Sequence, residues 1–425
     1  MQCRVRHNRR MLLLNRLLQR AVIRGALVVR DWNGAVRRFG EVDAEPVRIT
    51  IKDAATARKI GLNPALGAGE AFMEGSLVVE SGDILELLDL VSGNLRWDRD
   101  NKLRVGLWRQ ARLAARWGEL NERRRSRRNV AHHYDLDDRL YDLFLDEERQ
   151  YSCGYFREGN DGPDSDLDRA QHDKLNHVVA KLCLKPGMRV LDIGCGWGGM
   201  ARHIHKLSGA EVLGVTLSGE QLAHARRRAL ELGIAGKVRY ELIDYRDVTG
   251  TFDRIVSVGM FEHVGRPNYR DYFAKVASLL EPDGVALIHS IGRAGGPGAT
   301  DPWTRKYIFP GGYTPALSEI APHIERAWLW VTDVEVWRLH YMKTLEHWLQ
   351  RCRARKEDIV ALYDERFFRM WEFYLAGAIM AFRHDDHAVF QIQLARRRDA
   401  VPLTRDYLHR SSQPRVCGTV GIQSQ

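Results

Sequence analysis

The chain has 425 residues, 28% charged and 44% hydrophobic, with a formal net charge of +10. That length calls for two domains, and that balance excludes a disordered or fibrous protein. Six scattered cysteines (Cys3, Cys153, Cys183, Cys195, Cys352, Cys417) form no Cys-x-x-Cys pair, which argues against a zinc site or disulfide framework and for a reducing cytoplasm.

The basicity is concentrated in two segments. Residues 1–24 carry seven arginines and no acid, and residues 96–128 carry twelve Lys or Arg against Asp98, Asp100, Glu119 and Glu122. Both have helical spacing: Arg16, Arg20 and Arg24 recur every fourth residue beside Leu13, Leu14, Leu17 and Leu18. Such helices suit anionic lipid headgroups, while ordinary wet surface helices and phosphate-gripping arms are the alternatives. Asn15 and Arg16 break the apolar Met11–Leu14 run too early for a secretory signal, and no run approaches the roughly 18 apolar residues of a membrane span.

In chain order, residues 1–95 read as a small α+β domain with strands at Leu27–Val29, Val47–Ile51 and Ser76–Glu80. Residues 96–128 read as a basic linker helix, 129–410 as an α/β catalytic domain and 411–425 as a disordered tail. The catalytic part opens with a helical stretch over 130–182. Strands alternating with helices are expected at Val190–Ile193, Glu211–Val215, Val238–Ile243, Phe252–Val258 and Val285–His289. A sixth is expected within 325–340, and Ala388–Leu394 is the last.

Val190-Leu191-Asp192-Ile193-Gly194-Cys195-Gly196-Trp197-Gly198-Gly199 is the most informative stretch. An apolar strand ends in Asp192 and enters a glycine-rich turn where main-chain N–H groups and a helix N-terminus can approach a ligand closely. A dinucleotide fold or an S-adenosylmethionine (SAM) fold could use it. The dinucleotide reading wants an acid at the tip of the second strand; here that strand ends in Thr216-Leu217-Ser218, with Gln221 beyond. Asp244, after the third strand, can accept from an adenine amine. Glu262 follows the fourth strand and His289 ends the fifth, so both are expected to face one cavity beside the cofactor. Aromatic loops at Gln150–Phe156 and Asp301–Gly312 are expected to wall an apolar tunnel. His384-Asp385-Asp386-His387 has no third-ligand pattern and is not read as a metal site.

These motifs together resemble the cyclopropane-fatty-acyl-phospholipid synthase family, relatives of the mycolic acid methyltransferases. The resemblance rests on His132–Leu136, Gln150–Phe156, Val190–Gly199, Gly214–Gln221, Asp244–Asp247, Arg254–Gly265, His289–Gly292 and Lys306–Gly311. It implies an α/β fold, a Rossmann-like class I SAM-dependent methyltransferase sheet with helical insertions, and a methyl transfer from SAM to the double bond of an unsaturated acyl chain. A bound bicarbonate ion would then take a proton as a cyclopropane ring closes. By resemblance, Glu262, His289 and Tyr341 hold bicarbonate with the backbone amides of Cys153 and Ile291. Tyr151, Ser152, Gly194, Gly196, Thr216, Leu217, Gln221, Tyr245 and Arg246 fall at or near SAM contacts, beside Asp192 and Asp244.

The resemblance also implies a homodimer at the cytoplasmic leaflet of a phospholipid bilayer, without nucleic acid. Many relatives carry a cysteine in the helix before the last strand; Leu375–Phe382 has none, which removes only a catalytic thiol there. The rival endings are a methyl- or methylene-branched chain. Rivals of other classes are an RNA-binding methyltransferase, disfavoured by the apolar loops, and a SAM-binding lipid carrier without turnover.

Overall fold

A computed structural model describes residues 2–98, 136–162 and 164–408, with side chains from Met11 onward. Most of the basic linker, the His132–Asp135 part of the first motif and the tail beyond 408 lie outside the described residues. The chain forms two compact units, and neither is contiguous. One takes residues up to 129 together with Gly298–Gly312 and Met342–His387; the other takes Val130–Pro297, Tyr313–Tyr341 and the chain from Ala388.

The first unit opens with the helix Gln2–Ala21. Met11, Leu14, Leu18 and Ala21 are buried along one stripe, whereas Leu12, Leu13, Arg16 and Arg20 are exposed. A four-stranded sheet follows, ordered β2-β1-β3-β4, from β1 (Ala26–Arg30), β2 (Val36–Gly40), β3 (Pro46–Ile51) and β4 (Leu77–Ser81). β2 is an addition to the expected set: its edge position leaves Val36, Arg38 and Gly40 exposed, so it lacks an apolar run. Asp53, Asn63 and Asp83 cap the helices Ala54–Leu62, Pro64–Met73 and Ile84–Asn94, each accepting from a backbone N–H of the first turn.

Later segments complete this unit. Trp303 is buried with its ring 4.7 Å from that of Phe373, and its indole N–H donates to Met73 Sδ at 3.2 Å. Gly69 has to be glycine, since a Cβ there would lie 2.4 Å from the Trp303 ring. The 301–312 loop therefore belongs to this unit, and the Gln150–Phe156 loop to the other. His384 turns its Nε2 to Asp89 at 2.9 Å, while Asp385, Asp386 and His387 each bring one polar atom within 4.8 Å of the others.

The second unit holds a seven-stranded sheet, ordered β10-β11-β9-β8-β5-β6-β7. Its strands are β5 (Arg189–Ile193), β6 (Glu211–Thr216), β7 (Val238–Leu242), β8 (Phe252–Val258), β9 (Leu280–Arg293), β10 (Trp330–Trp337) and β11 (His387–Ala395), the first residue of β11 falling in the other unit. β5 to β9 pair in parallel, and β10 pairs antiparallel with β11. Successive residues of β5 feed different cores. Val190 packs with Val212, Val256 and Leu287, and Leu191 and Ile193 pack with Ile255 and Ile288, as in a sheet covered on both faces. Ahead of the sheet, 130–182 is not one helical stretch. Among the described residues it holds the short helix Asp138–Asp142 and the helix Leu167–Lys181; between them runs irregular chain, with Arg149 and Gly159 at positive φ.

Candidate cofactor and proton-transfer site

β6 lies on one side of β5 and β8 on the other, so the strand order reverses between β5 and β8. A crevice beyond the carboxyl ends of strands at such a point is where ligands bind in doubly wound sheets. Every residue expected from the sequence to hold SAM or bicarbonate falls in this second unit, most of them on or just after its strand ends, whereas the 301–312 loop falls in the first.

The glycine turn explains its own composition. Gly194, Gly196 and Gly198 all have positive φ, and the amides of Gly194 and Cys195 both donate to Val215 O, at 2.9 and 3.0 Å. A Cβ on Gly194 would lie 2.8 Å from Met260, and one on Gly198 would lie 2.5 Å from the Tyr240 hydroxyl, which donates to Gly198 O at 2.8 Å. A Cβ on Gly196, by contrast, would meet nothing within 4 Å, so the turn opens onto space there. Trp197 is buried and its indole N–H reaches Asp138 at 3.1 Å; Tyr141 packs on it and on Tyr151.

Polar groups line this space. Thr216 donates to Gln221 Oε1 at 2.9 Å and accepts from Ser218 N at 3.2 Å, while Leu217 is exposed. Asp244 is buried but already engaged: its Oδ1 accepts from Arg246 N at 3.0 Å and Arg246 Nε at 2.8 Å, so an adenine amine would share it. Arg246 is exposed and its guanidinium lies 5.9 Å from the Tyr245 ring centre. Asp192 is 2% exposed, its Oδ2 has no hydrogen-bond partner, and burial pushes its pKa up to about 7. A buried carboxylate with one oxygen free of hydrogen bonds, facing Lys174 and beside an open glycine turn, can also attract a cationic ligand such as the SAM sulfonium.

That charge logic has a measurable sign. A cation favours ionised Asp192, so below pH 7 the group must shed a proton when SAM binds. SAM affinity should therefore weaken as pH falls through 7, by at most about tenfold per unit. S-adenosylhomocysteine, a neutral sulfide, should show a shallower dependence, and Asp192→Asn should flatten the SAM slope. Equal slopes for both ligands in calorimetry at several pH values would defeat this account.

The remaining expected site residues include Glu262, in the turn after β8. Its Oε1 accepts from Ile291 N at 2.8 Å, its Oε2 is shut off from solvent without a partner, and burial raises its pKa to about 7. The Ile291 amide is thus spent on Glu262 and would serve an anion only by exchanging partners. His289, on β9, is 2% exposed and burial pushes its pKa down to about 3, so the ring is neutral. Gln391 Nε2 faces His289 Nδ1 at 3.0 Å; with the amide turned this way Nδ1 accepts and Nε2 carries the proton. Beside it, Trp337 stands edge-on to His289 at 5.2 Å and 5.5 Å from His340, the residue before buried Tyr341. The buried Cys153 thiol points to Gly154 O at 3.3 Å. A buried acid with one unused oxygen and a neutral imidazole N–H suit a small oxyanion, the former by donating when protonated.

Sequence reasoning passed over Gln171 and Lys174, both buried in the helix Leu167–Lys181. The signal was present: Leu167, Ala170, Gln171, Lys174, Val178 and Lys181 follow a core stripe at three- and four-residue spacing. Polar residues on such a stripe mark a buried polar job.

Residues 121–392 match the family model described as mycolic acid cyclopropane synthetase, and residues 13–95 match a domain family of unknown function. The chain is 38% identical to the cyclopropane-fatty-acyl-phospholipid synthase of Escherichia coli strain K12 over 352 residues, covering 83% of this chain and 88% of that one. It is 37% identical over 366 residues to a probable fatty acid methyltransferase of Pseudomonas putida, covering 84% and 88%. Among solved structures, mycolic acid cyclopropane synthase CmaA1 complexed with SAH and CTAB superposes with a TM-score of 0.59 at 32% identity, over 63% of this chain and 98% of that one.

Proposed function

We propose, for a chain that belongs to the mycolic acid cyclopropane synthetase family and is a SAM-dependent methyltransferase acting on lipid, a specific reaction: cyclopropanation of the cis double bond in an acyl chain of membrane phospholipid. The observation that carries it is Glu262, a buried acid with one unpartnered oxygen at the switch point of the sheet.

The π electrons of the alkene attack the sulfonium methyl carbon, the C–S bond pair stays on sulfur, and positive charge appears on the neighbouring alkene carbon. Loss of a proton from the transferred methyl lets its C–H pair close the ring. Bicarbonate, when bound, supplies the base for that proton. Protonated Glu262 and the His289 Nε2–H orient it by donating hydrogen bonds, with the Tyr341 hydroxyl and the Cys153 amide as further donors. A protein base in that place would risk alkylation by the cation; a fixed oxyanion avoids this.

Delivery of the substrate falls to the N-terminal helix in this reading. Leu12, Arg16, Arg20 and Leu13 share an arc of about 100° at helical spacing and are exposed. That combination suits the anionic inner leaflet of a bilayer, approached from the cytoplasm. Among the described residues, no helix is long and apolar enough to cross a membrane. A homodimer completes the proposal.

The test is to incubate the protein with SAM, bicarbonate and vesicles of unsaturated phospholipid, then read the acyl products by mass and NMR. Cyclopropane ring protons, dependent on bicarbonate, are the expected result. A methyl- or methylene-branched chain would assign a fatty-acyl methyltransferase of the same family instead, and no acyl product would remove both.

A further inference from the structure

The loop Asp146–Cys153 is held by side chains of one helix. Gln171 and Lys174, spaced i and i+3 on the helix Leu167–Lys181, are 1% and 0% exposed. Gln171 Nε2 donates to Gln150 O at 3.1 Å and to Ser152 O at 2.9 Å. Lys174 Nζ donates to Ser152 Oγ at 3.1 Å and to Gln150 Oε1. From within the loop, Asp146 accepts from Gln150 N at 2.8 Å and Glu148 N at 3.1 Å.

Gln150 extends the grip to the glycine turn. While Lys174 holds its Oε1, its Nε2 sits where a Cβ on Gly199 would come within 2.4 Å. Lysine, loop and turn are packed in sequence, with no room for a side chain at Gly199.

A buried ammonium is an expensive way to fill space. Its hydrogen-bond partners here are the neutral Gln150 and Ser152, and a methionine would pack the same volume without the desolvation penalty. The charge serves to fix Gln150 and Ser152. Asp146, Asp192 and Cys153 are the titratable groups that face it from neighbouring segments.

We propose that Lys174 and Gln171 are positioning residues that hold Gln150–Ser152 against the glycine turn, so that SAM affinity is set from the helix Leu167–Lys181. The inference rests on the proposed contact of Tyr151 and Ser152 with the cofactor.

The full-length chain is compared as wild type, Lys174→Met, Tyr151→Ala and Gln150→Leu, measuring SAM affinity by calorimetry, kcat at saturating SAM, and Tm. Lys174→Met should weaken SAM binding about ten- to a hundredfold, the worth of a charge-assisted hydrogen bond. Its kcat at saturating SAM should fall much less, and its Tm should fall, because Asp146 and Asp192 lose the cation that faces them. A merely structural lysine would lower Tm or the active fraction and leave the affinity of the folded protein unchanged. If Lys174→Met does not fold, Gln150→Leu removes the same hydrogen bond from the loop side and takes its place. Wild-type affinity in Lys174→Met beside a weakened Tyr151→Ala overturns the positioning role alone; wild-type affinity in Tyr151→Ala overturns the loop contact and the positioning role with it.

Discussion

Glu262→Gln should lower turnover by about two to three orders of magnitude while SAM affinity stays within about twofold, a loss in the range of general acid–base catalysis. The amide keeps the shape and, through its carbonyl, the bond from Ile291 N at 2.8 Å. It cannot gain or lose a proton. In the native protein the carboxyl titrates near 7 because burial penalises its charge, so it can donate to an oxyanion when protonated and release that proton later. An anion bound against it raises its pKa further, so bicarbonate should bind more weakly as pH rises above 7. Glutamine should abolish that dependence. Steady-state rates against bicarbonate at several pH values, with calorimetry for SAM, check both statements. Equal losses in turnover and SAM affinity would move Glu262 out of the proton-handling role and into the cofactor site.

Gly198→Ala should remove measurable SAM binding and lower stability by about 2–4 kcal/mol. Its φ of 83° lies in the left-handed region that side chains avoid, and the new Cβ would press 2.5 Å from the Tyr240 hydroxyl. That hydroxyl is buried and bonded to Gly198 O, so it has no empty direction in which to retreat. Adding Tyr240→Phe should recover part of the stability by removing the obstructing oxygen, but not the backbone strain. Gly236→Ala is the control, since it is exposed and its Cβ would meet nothing within 4 Å; its Tm and SAM affinity should match wild type. A Gly198→Ala protein that binds SAM normally would show that the turn does not depend on its glycines.

The parallel sheet was readable because its strands announce themselves locally. Val190–Ile193 and Phe252–Val258 are short, mostly apolar runs followed by glycine, and a strand buried on both faces has little other composition available. β2 was not readable, since Val36-Arg37-Arg38-Phe39-Gly40 owes its strand to pairing with β1 and not to its own pattern. β9 runs from Leu280, five residues earlier than its apolar centre suggests, because Leu280 pairs with Phe252 while Pro282, Asp283 and Gly284 disguise its start. Glu262 and His289 were legible from their place after strands four and five. Gln391, which pairs with the imidazole, was not: it is one residue of an alternating strand until the fold sets it opposite His289. Lys174 was hidden for a different reason, as a cation in a helix is ordinarily solvated and only packing reveals otherwise.

The interleaving of the first unit has a consequence for biosynthesis. Its residues near the start of the chain find partners hundreds of positions later: Met73 with Trp303, Asp83 with Arg353, and Asp89 with Arg383 across a separation of 294 residues. The ribosome must therefore have reached residue 387 before that unit has all its parts. Its early helices must wait, with sticky surface uncovered, while β5 to β9 are already available to pair. Nascent chains that stop short of residue 387 should accordingly leave the first unit open to protease, although all four of its strands lie between Ala26 and Ser81.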